Sequence, residues 1–174
     1  MNIAIVGATG NVGRKTIEVL EHKNIPIDNL YLLASSKSVG KKVLYKGKEL
    51  EVINLTNFDF SKVKVAFFAA GGEISEKFAL RASEKCLVID NSSKFRMDPD
   101  VPLIVPQVNS DALKNMKKNI IANPNCSTAQ LVIALKPLHD LFTIERIVVS
   151  TYQSVSGGGK APMDELIEQT KKVL

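Results

Sequence analysis

The chain opens with a short apolar run, a glycine-rich turn and a helix-forming segment, and this opening constrains the fold more than any other feature. Residues 2–6 form a short strand-like run that is apolar from Ile3 onward, and the motif GATGNVG occupies positions 7–13. Apolar residues then recur at helical spacing from Ile17 to about His22. Strand, glycine-rich turn and helix in this order are typical of the first crossover of a dinucleotide-binding sheet. The N-terminus of the helix then faces the phosphates of the ligand.

The glycines of this turn have different predicted roles. Gly7 and Gly10 allow a tight turn and a close approach of the backbone to a pyrophosphate, whereas Gly13 lets the helix pack on the strand. The spacing is GxxGxxG and not the more common GxGxxG. A structural turn without a ligand is therefore the alternative, although the position between a strand and a helix favours nucleotide binding.

Further apolar strands alternate with amphipathic helices, which predicts an α/β protein with a doubly wound parallel sheet of Rossmann type. The predicted strands are 30–34, 63–69, 87–90 and 118–122, with a hairpin of 43–45 and 48–54 around Gly47, and the predicted helices include 73–83 and 162–173. Because it contains Pro102 and Pro106, segment 101–108 is expected to be extended and not helical. Residues 143–153 are rich in β-branched side chains and are expected to form a long strand.

The end of the second strand indicates which dinucleotide is bound. An NAD site places a carboxylate there for the ribose 2′-hydroxyl, but this chain has the run ASSKS at positions 34–38. Hydroxyl groups and Lys37 suit a 2′-phosphate, so we predict NADP, with a plain polar loop as the alternative. Small residues up to Gly71 after strand 63–69 would let a cofactor lie against the backbone.

A cysteine lies where an extended segment turns into a helix, in the run NPNCST at positions 123–128. The dipole and the unpaired N–H groups of a helix N-terminus favour a thiolate and can hold an oxyanion, so Cys126 is a candidate nucleophile. Ser127 and Thr128 are expected to cap this helix. An inert buried cysteine is the alternative, because cysteine is among the most buried residue types.

Arg96 follows the strand 87–90 in a polar loop. Its planar guanidinium suits bidentate binding of a phosphate or carboxylate. A surface ion pair with Asp98 or Asp100 is the alternative.

Composition and charge argue against several classes of protein. Hydrophobic residues make up 45% and charged residues 24%, which is ordinary for a globular protein, and no apolar run is long enough to predict a membrane span. The chain start lacks the pattern of a signal peptide, and the two cysteines suggest no disulfide framework, so we expect a cytoplasmic protein. The net charge of +5 comes without interleaved aromatic residues, a zinc pattern or a helix-turn-helix pattern. We therefore expect a basic face suited to phosphorylated small molecules, and neither a nucleic-acid nor a metal site.

Several motifs together resemble the aspartate-semialdehyde dehydrogenases over essentially the whole chain. They are GATGNVG, FFAAGG, VIDNSSKFR, VPLIVPQVN, IIANPNCST and IVVSTYQSVSGGGK, and they follow the order found in that family. The related N-acetyl-glutamyl-phosphate reductases have glycine before the cysteine, so Asn125 favours the aspartate enzymes.

This resemblance implies reduction of β-aspartyl phosphate by NADPH to aspartate semialdehyde and inorganic phosphate, on the route to lysine, methionine and threonine. Cys126 would be the nucleophile that forms a thioacyl intermediate, Gln153 would position the substrate, and Asn125 and Arg96 would bind its charged groups. A homodimer is implied for the full-length enzyme. The implied NADP-binding residues are Gly7, Thr9, Gly10, Asn11, Val12, Gly13, Ser35, Lys37, Gly71, Ser156 and Gly157.

The chain also departs from the family. No residue matches the family's acid/base histidine or its second substrate-binding arginine: His22 ends the first helix, and His139 lies roughly three helical turns beyond Cys126. The resemblance thus implies an N-terminal part with an NADP-binding domain at 1–125 and an incomplete α+β catalytic and dimerisation domain at 126–174. We expect this chain alone to be inactive, and a non-catalytic NADP-binding fragment or paralogue is the alternative.

Overall fold

The structure, a computed structural model, describes residues 1–23 and 25–174 and is built around a seven-stranded sheet. The strands are β1 (Ile3–Val6), β2 (Leu30–Ala34), β3 (Lys42–Tyr45), β4 (Lys48–Asn54), β5 (Val65–Phe68), β6 (Leu87–Asp90) and β7 (Ile120–Ala122). Their order across the sheet is β3-β4-β2-β1-β5-β6-β7. Only β3 runs antiparallel to its neighbour among these strands, so the predicted parallel sheet and the predicted hairpin are confirmed.

The helices of the described residues connect or follow these strands. They are α1 (Asn11–His22), α2 (Gly72–Ser83), α3 (Pro106–Asn109), α4 (Cys126–Phe142) and α5 (Lys160–Val173). α1 joins β1 to β2, and α2 joins β5 to β6, as expected of crossovers between parallel strands. In this part of the chain no helix combines the length and the apolar character that a membrane crossing requires.

Helices pack on both faces of the sheet, which makes it doubly wound as predicted. On one face Ile17 and Leu20 of α1 pack in a buried cluster with Ile5 of β1. On the opposite face Ala79 of α2 belongs to a second cluster that includes Phe68 of β5. Each large apolar side chain buried in this way contributes about 1.5–3 kcal/mol of transfer free energy, so the two clusters hold the sheet between its helices.

Two predictions from the sequence are wrong in detail. Residues 143–153 form no strand, because no other strand of the described residues pairs with them, and β-branched composition alone does not supply hydrogen-bond partners. Segment 101–108 is extended only in its first part, since α3 begins at Pro106. Proline is favoured at the first helical position, where its missing N–H group would have no intrahelical acceptor.

The C-terminal third of the described chain packs much less tightly than the sheet. Neither α4 nor α5 has a buried residue. Large apolar side chains such as Leu141, Phe142 and Tyr152 are more than two-thirds exposed at 75%, 76% and 100%. This part of the chain therefore has apolar surface in excess of what the described residues cover.

Candidate active site

Cys126 is the first residue of α4 and lies close to the carboxyl end of β7, at the edge of the sheet. β7 ends at Ala122, and the segment Asn123-Pro124-Asn125 turns the chain before the helix begins. The side chain of Asn125 caps the helix: its Oδ1 accepts a hydrogen bond from the Ser127 main-chain N–H at 3.0 Å. The expected capping by Ser127 and Thr128 is therefore wrong, because Asn125, just outside the helix, accepts from the Ser127 main-chain N–H group.

The thiol of Cys126 is exposed and lies near two amide side chains. Its Sγ is 3.9 Å from Oε1 of Gln153 and 3.8 Å from Oδ1 of Asn125, with the thiol as the hydrogen-bond donor. The structure thus brings Cys126, Asn125 and Gln153 together although Gln153 is 27 residues away in sequence. An exposed thiol with amide groups around it is accessible to a small electrophile.

Main-chain N–H groups remain available beside this thiol. Ser127 N–H is already bound by Asn125 Oδ1, and Ala129 N–H makes the first hydrogen bond of the helix to the Asn125 carbonyl oxygen at 2.9 Å. Among the described residues, no acceptor is hydrogen-bonded to the N–H groups of Cys126 and Thr128. These two donors are in the right place to stabilise negative charge on an oxygen next to the sulfur.

The second cysteine provides a contrast. Cys86 is 6% exposed, and its Sγ donates to the Ala82 carbonyl oxygen. Burial raises the pKa of the Cys86 thiol to about 11, since removal from water disfavours the thiolate. Of the two cysteines, Cys126 is therefore the one suited to nucleophilic chemistry.

Arg96 is held against main-chain oxygens next to the cysteine turn. Its Nε donates to the carbonyl oxygen of Asn123 at 2.9 Å, and its Nη2 donates to that of Asn91 at 3.3 Å. The Asn123 side-chain amide in turn donates to Oδ1 of Asn91. The guanidinium thereby joins the ends of β6 and β7, and its Nη1 group makes no hydrogen bond to the described residues.

The ion pair considered for Arg96 is wrong. Asp98 accepts instead from Lys118 at 2.9 Å, and Asp100 from Lys117 at 2.8 Å. The hydrogen bond from Lys118 and that from the Asp100 main-chain N–H lower the pKa of Asp98, while the contact with Asp100 raises the pKa of Lys117. These pairs neutralise the nearby carboxylates and leave the charge of Arg96 available for an anion.

The glycine-rich turn after β1 is packed closely against its neighbours. Gly7 has φ +85°, and a Cβ at this position would lie 2.7 Å from the Ala69 carbonyl oxygen. At Gly13 a Cβ would lie 2.2 Å from the Gly7 carbonyl oxygen, which agrees with a role in packing the helix on the turn. Gly10 is exposed at the helix N-cap with only the Gly7 carbonyl oxygen near it, at 3.4 Å. The turn thus leaves the start of α1, with Asn11 and Val12, open to an anion.

The loop after β2 lies beside this turn. Ser35 and Lys37 are exposed, and the hydroxyl of Thr9 contacts that of Ser38 at 3.4 Å. Ser38 is a contact that the sequence reasoning missed, and its place in the ASSKS run was the available signal. Gly71, after β5, has φ +87°, and a Cβ there would meet no atom within 4 Å. All these groups lie at the carboxyl ends of parallel strands, where open α/β sheets bind ligands.

A distant segment also reaches the start of α1. The Asn11 side-chain amide donates to Sδ of Met163 in α5 at 3.4 Å, although the two residues are 152 apart in sequence. Ser156 and Gly157 lie in the exposed turn that precedes α5, and their predicted contact with the cofactor stays a prediction. No sequence pattern marked Met163 as a contact.

An apolar groove of about 350 Å³ lies between α1 and the sheet. Its walls include Val12 and Thr16 of α1 and Phe67 of β5, and Asn91 and Asn123 lie at its polar end. The groove therefore connects the first turn of α1 with the asparagine pair beside Arg96. In the ranges 1–23 and 25–174 no three His, Cys, Asp or Glu side chains group as metal ligands.

These features define a dinucleotide-binding α/β protein with a cysteine at the ligand-binding edge of its sheet. The chain belongs to the semialdehyde dehydrogenase family: a family model described as "Semialdehyde dehydrogenase, NAD binding domain" matches residues 2–116. A second model, "Semialdehyde dehydrogenase, dimerisation domain", matches residues 135–174. The resemblance inferred from the motifs is confirmed. The boundary at 125/126 falls between the two matched ranges and stays a prediction.

Curated relatives carry the name aspartate-semialdehyde dehydrogenase. The enzyme of that name from Shewanella violacea is 51% identical over 99% of this chain and 52% of the relative. Aspartate-semialdehyde dehydrogenase 2 from Vibrio cholerae is 54% identical over the same shares. The chain thus spans about half the length of the curated relatives it matches.

Solved structures show the same fold. Aspartate semialdehyde dehydrogenase II from Vibrio cholerae, complexed with ASA, has a TM-score of 0.93 at 53% identity and covers 99% of this chain and 52% of its own. The Candida albicans enzyme with NADP has a TM-score of 0.66 at 30% identity and covers 82% of this chain and 48% of its own. These likenesses confirm the Rossmann-type fold of the seven-stranded sheet with its helices.

Proposed function

We propose that this chain supplies the NADP site and the nucleophile of an aspartate-semialdehyde dehydrogenase. The proposed reaction converts β-aspartyl phosphate and NADPH to aspartate semialdehyde, inorganic phosphate and NADP, a step towards lysine, methionine and threonine. The observation that carries the proposal is the exposed Cys126 thiol at the N-terminus of α4, 3.9 Å from Gln153 and at the edge of the sheet that bears the glycine-rich turn. The identity of 51% and 54% to enzymes of this name supports the choice of substrate.

Cys126 would attack the acyl carbon of β-aspartyl phosphate. A sulfur–carbon bond forms, the bond from that carbon to the phosphate oxygen breaks, and phosphate leaves with the electron pair, so that a thioacyl group remains on Cys126. The free N–H groups of Cys126 and Thr128 would stabilise the oxygen that becomes negative during this step. Bound NADPH supplies the hydride that reduces the thioacyl carbon, and Cys126 then leaves as a thiolate.

Gln153 and Arg96 would orient the substrate around that sulfur. Gln153 lies within 3.9 Å of the thiol and can contact the acyl group through its amide. Arg96 is fixed through Nε and Nη2, and its remaining N–H groups can bind an anionic oxygen of the substrate. Asn125 is occupied in capping α4, so we expect its amide nitrogen, and not its oxygen, to contact the substrate.

The residues around the glycine-rich turn fit NADP. Gly10 and the first turn of α1 offer N–H groups to a pyrophosphate, and the positive φ of Gly71 with open space around it permits close approach of a ligand. Ser35 and Lys37 are exposed beside this site and present hydroxyl and ammonium groups for the 2′-phosphate. A relative of this chain has been solved with NADP.

The second matched region suggests how the full-length enzyme assembles. Residues 135–174 match a dimerisation domain, and α4 and α5 leave apolar side chains such as Leu141 and Phe142 exposed. We propose that a homodimer of the full-length enzyme forms through this part of the chain, because exposed apolar surface of this kind is typical of interaction sites.

The acylation step can be tested on this chain directly. When freshly generated β-aspartyl phosphate is added, we expect an aspartyl adduct on Cys126, seen by peptide mass spectrometry and lost on treatment with hydroxylamine, because thioesters are cleaved by that nucleophile. Cys126→Ser should form no such adduct, and the buried Cys86 serves as an internal control that stays unmodified. Absence of the adduct from a chain that still binds NADPH would favour a non-catalytic NADP-binding protein instead.

A further inference from the structure

Asp90 is a buried carboxyl group that the proposed reaction does not use. It is the last residue of β6 and is 0% exposed. No lysine or arginine of the described residues forms an ion pair with it. A buried acidic group without a basic partner is costly, so its retention calls for an explanation in the structure.

Two serine hydroxyls donate to this carboxyl group, one to each of its oxygens. Ser75 of α2 donates to Oδ1 at 2.6 Å, and Ser92 donates to Oδ2, also at 2.6 Å. The Ser92 main-chain N–H adds a longer bond to Oδ1 at 3.3 Å. Asp90 therefore connects helix α2 to the loop that follows β6.

The Ser92 hydroxyl passes this restraint on to the loop that carries Arg96. Its Oγ accepts a hydrogen bond from the Lys94 main-chain N–H at 3.1 Å, and the Lys94 side chain pairs with Glu76 of α2. The main-chain N–H group of Arg96 then donates to the Ser93 carbonyl oxygen at 3.4 Å. The loop from Ser92 to Arg96 is thus folded into consecutive turns, and the hydrogen bond from Ser92 to the Asp90 carboxyl group attaches these turns to the end of β6.

The same residue also holds the cysteine turn. The Asp90 carbonyl oxygen accepts from the Asn123 main-chain N–H at 2.8 Å, and the Asn123 carbonyl oxygen accepts from Arg96 Nε at 2.9 Å. Asp90 is therefore bonded through its side chain to the start of the Arg96 loop and through its backbone to the segment that precedes Cys126.

We propose that Asp90, acting through Ser92, is a positioning residue that fixes the Arg96 guanidinium beside Cys126. This inference rests on the proposed function, because it assigns a use to the charge of Arg96 next to the nucleophile. Ser75 makes a bond of equal length to the same carboxyl group but belongs to α2 and not to the Arg96 loop. The two serines therefore form a matched pair for a test.

The experiment compares alkylation of Cys126 by iodoacetate, which is anionic, and by iodoacetamide, which is neutral. A cation held near the thiol accelerates the anionic reagent selectively. The rate with iodoacetate divided by the rate with iodoacetamide, each relative to a free thiol, therefore reports whether the Arg96 charge lies near Cys126. We expect a ratio about twofold above that of Arg96→Met, because a single charge that acts through water on a nearby thiol contributes only a small Coulomb energy. Added salt should lower the ratio, because it screens the charge.

We expect Ser92→Ala to lower the ratio to the value of Arg96→Met, Ser92→Thr to restore it, and Ser75→Ala to leave it at the wild-type value. Asp90→Asn should behave like Ser92→Ala. General loosening of the fold does not imitate this pattern, because it changes both reagents' rates together and also exposes Cys86, whose alkylation is followed in the same samples. The proposal is overturned if Ser92→Ala and Ser75→Ala give equal ratios while Arg96→Met lowers the ratio.

The role of Arg96 itself is judged separately. If Arg96→Met leaves the wild-type ratio unchanged, the guanidinium does not act at Cys126. The assignment of Arg96 in the proposed function then fails, and the positioning role of Asp90 fails with it. Even with that result, an aspartyl adduct on Cys126 after addition of β-aspartyl phosphate would support Cys126 as the nucleophile.

Discussion

Lys37 is the residue on which the choice between NADP and NAD depends. It is exposed in the loop after β2, two residues beyond Ser35 and within the turn that brings Ser38 to Thr9. No carboxylate occupies the run 34–38, so nothing there would repel a 2′-phosphate or compete for its place. One ammonium group among hydroxyls is enough for a preference, because a 2′-phosphate is dianionic near neutral pH.

We therefore predict that this chain binds NADPH more tightly than NADH and that Lys37→Gln removes most of that difference. The loss in NADPH affinity should be about two- to fivefold, the size expected for one solvent-exposed ion pair, with NADH affinity nearly unchanged. Calorimetric titration of both nucleotides measures this. Lys41→Gln, at an exposed lysine of the same chain region, is the control with equal change in net charge. Equal affinity of the wild-type chain for both nucleotides would contradict the assignment.

At the scale of single elements, Gly13 and Gly72 show why a glycine is needed at one helix start and not at another. Both lie in the first turn or two of a helix, and neither has a positive φ. A Cβ at Gly13 would lie 2.2 Å from the Gly7 carbonyl oxygen, whereas a Cβ at Gly72 would meet nothing within 4 Å. The close approach of α1 to β1 thus depends on the missing side chain at position 13.

We predict opposite effects of the same substitution at these positions. Gly13→Ala should lower the free energy of unfolding by about 1–3 kcal/mol, since the backbone must shift to remove the clash. Gly72→Ala should raise it by about 0.4–1 kcal/mol, because alanine restricts the unfolded chain and favours the helix. Urea unfolding with a shared slope measures both. A Gly13→Ala protein as stable as the wild type would show that α1 is not packed on the turn in this way.

The elements that the sequence predicted best are those whose signal is local. β2 and β6 match their predicted ranges, because a run of apolar residues between polar turns suffices to mark a buried strand. Segment 143–153 was mistaken for a strand, since strand formation depends on a partner that composition does not reveal. The cap of α4 was misplaced for a similar reason: Asn125 and Ser127 are both good capping residues, and only the geometry decides which one reaches the free N–H groups.

The candidate site divides in the same way. The position of the glycines and of Cys126 at strand ends could be predicted from the sequence, because parallel strands place their carboxyl ends at one edge of the sheet. Their roles in binding and catalysis stay predictions. The hydrogen-bond partners of Arg96 could not be predicted from the sequence. They are the main-chain carbonyl oxygens of Asn91 and Asn123, and because every residue has such a group, no sequence pattern marks these two. The role inferred for Asp90 likewise depends on two serines that become neighbours only when α2 packs on β6.

The molecule as a whole consists of regions with very different burial. Strands such as β1 and β6 lie in the two apolar clusters of the sheet, with residues such as Ile5 and Val88 fully buried. α4 and α5 have no buried residue, and α5 touches the sheet domain through contacts such as that of Met163 with Asn11. The free energy of local opening should therefore be much lower for α4 and α5 than for the strands of the sheet.

Hydrogen exchange on this chain should show that difference. We expect main-chain amides of β1 and β6 to exchange only through global unfolding and those of α5 to exchange at least about tenfold faster through local opening. Saturating NADPH should slow exchange at residues 156–163, because Met163 contacts Asn11 at the start of α1. The C-terminal half of α2, residues 78–83, serves as the control, since Ala79 and Ala82 pack in the cluster on the opposite face of the sheet from α1. Equal protection of α5 and β1 without the nucleotide would mean that the C-terminal part folds as one cooperative unit with the sheet. Unchanged exchange at residues 156–163 with saturating NADPH would contradict a place for this segment at the cofactor site.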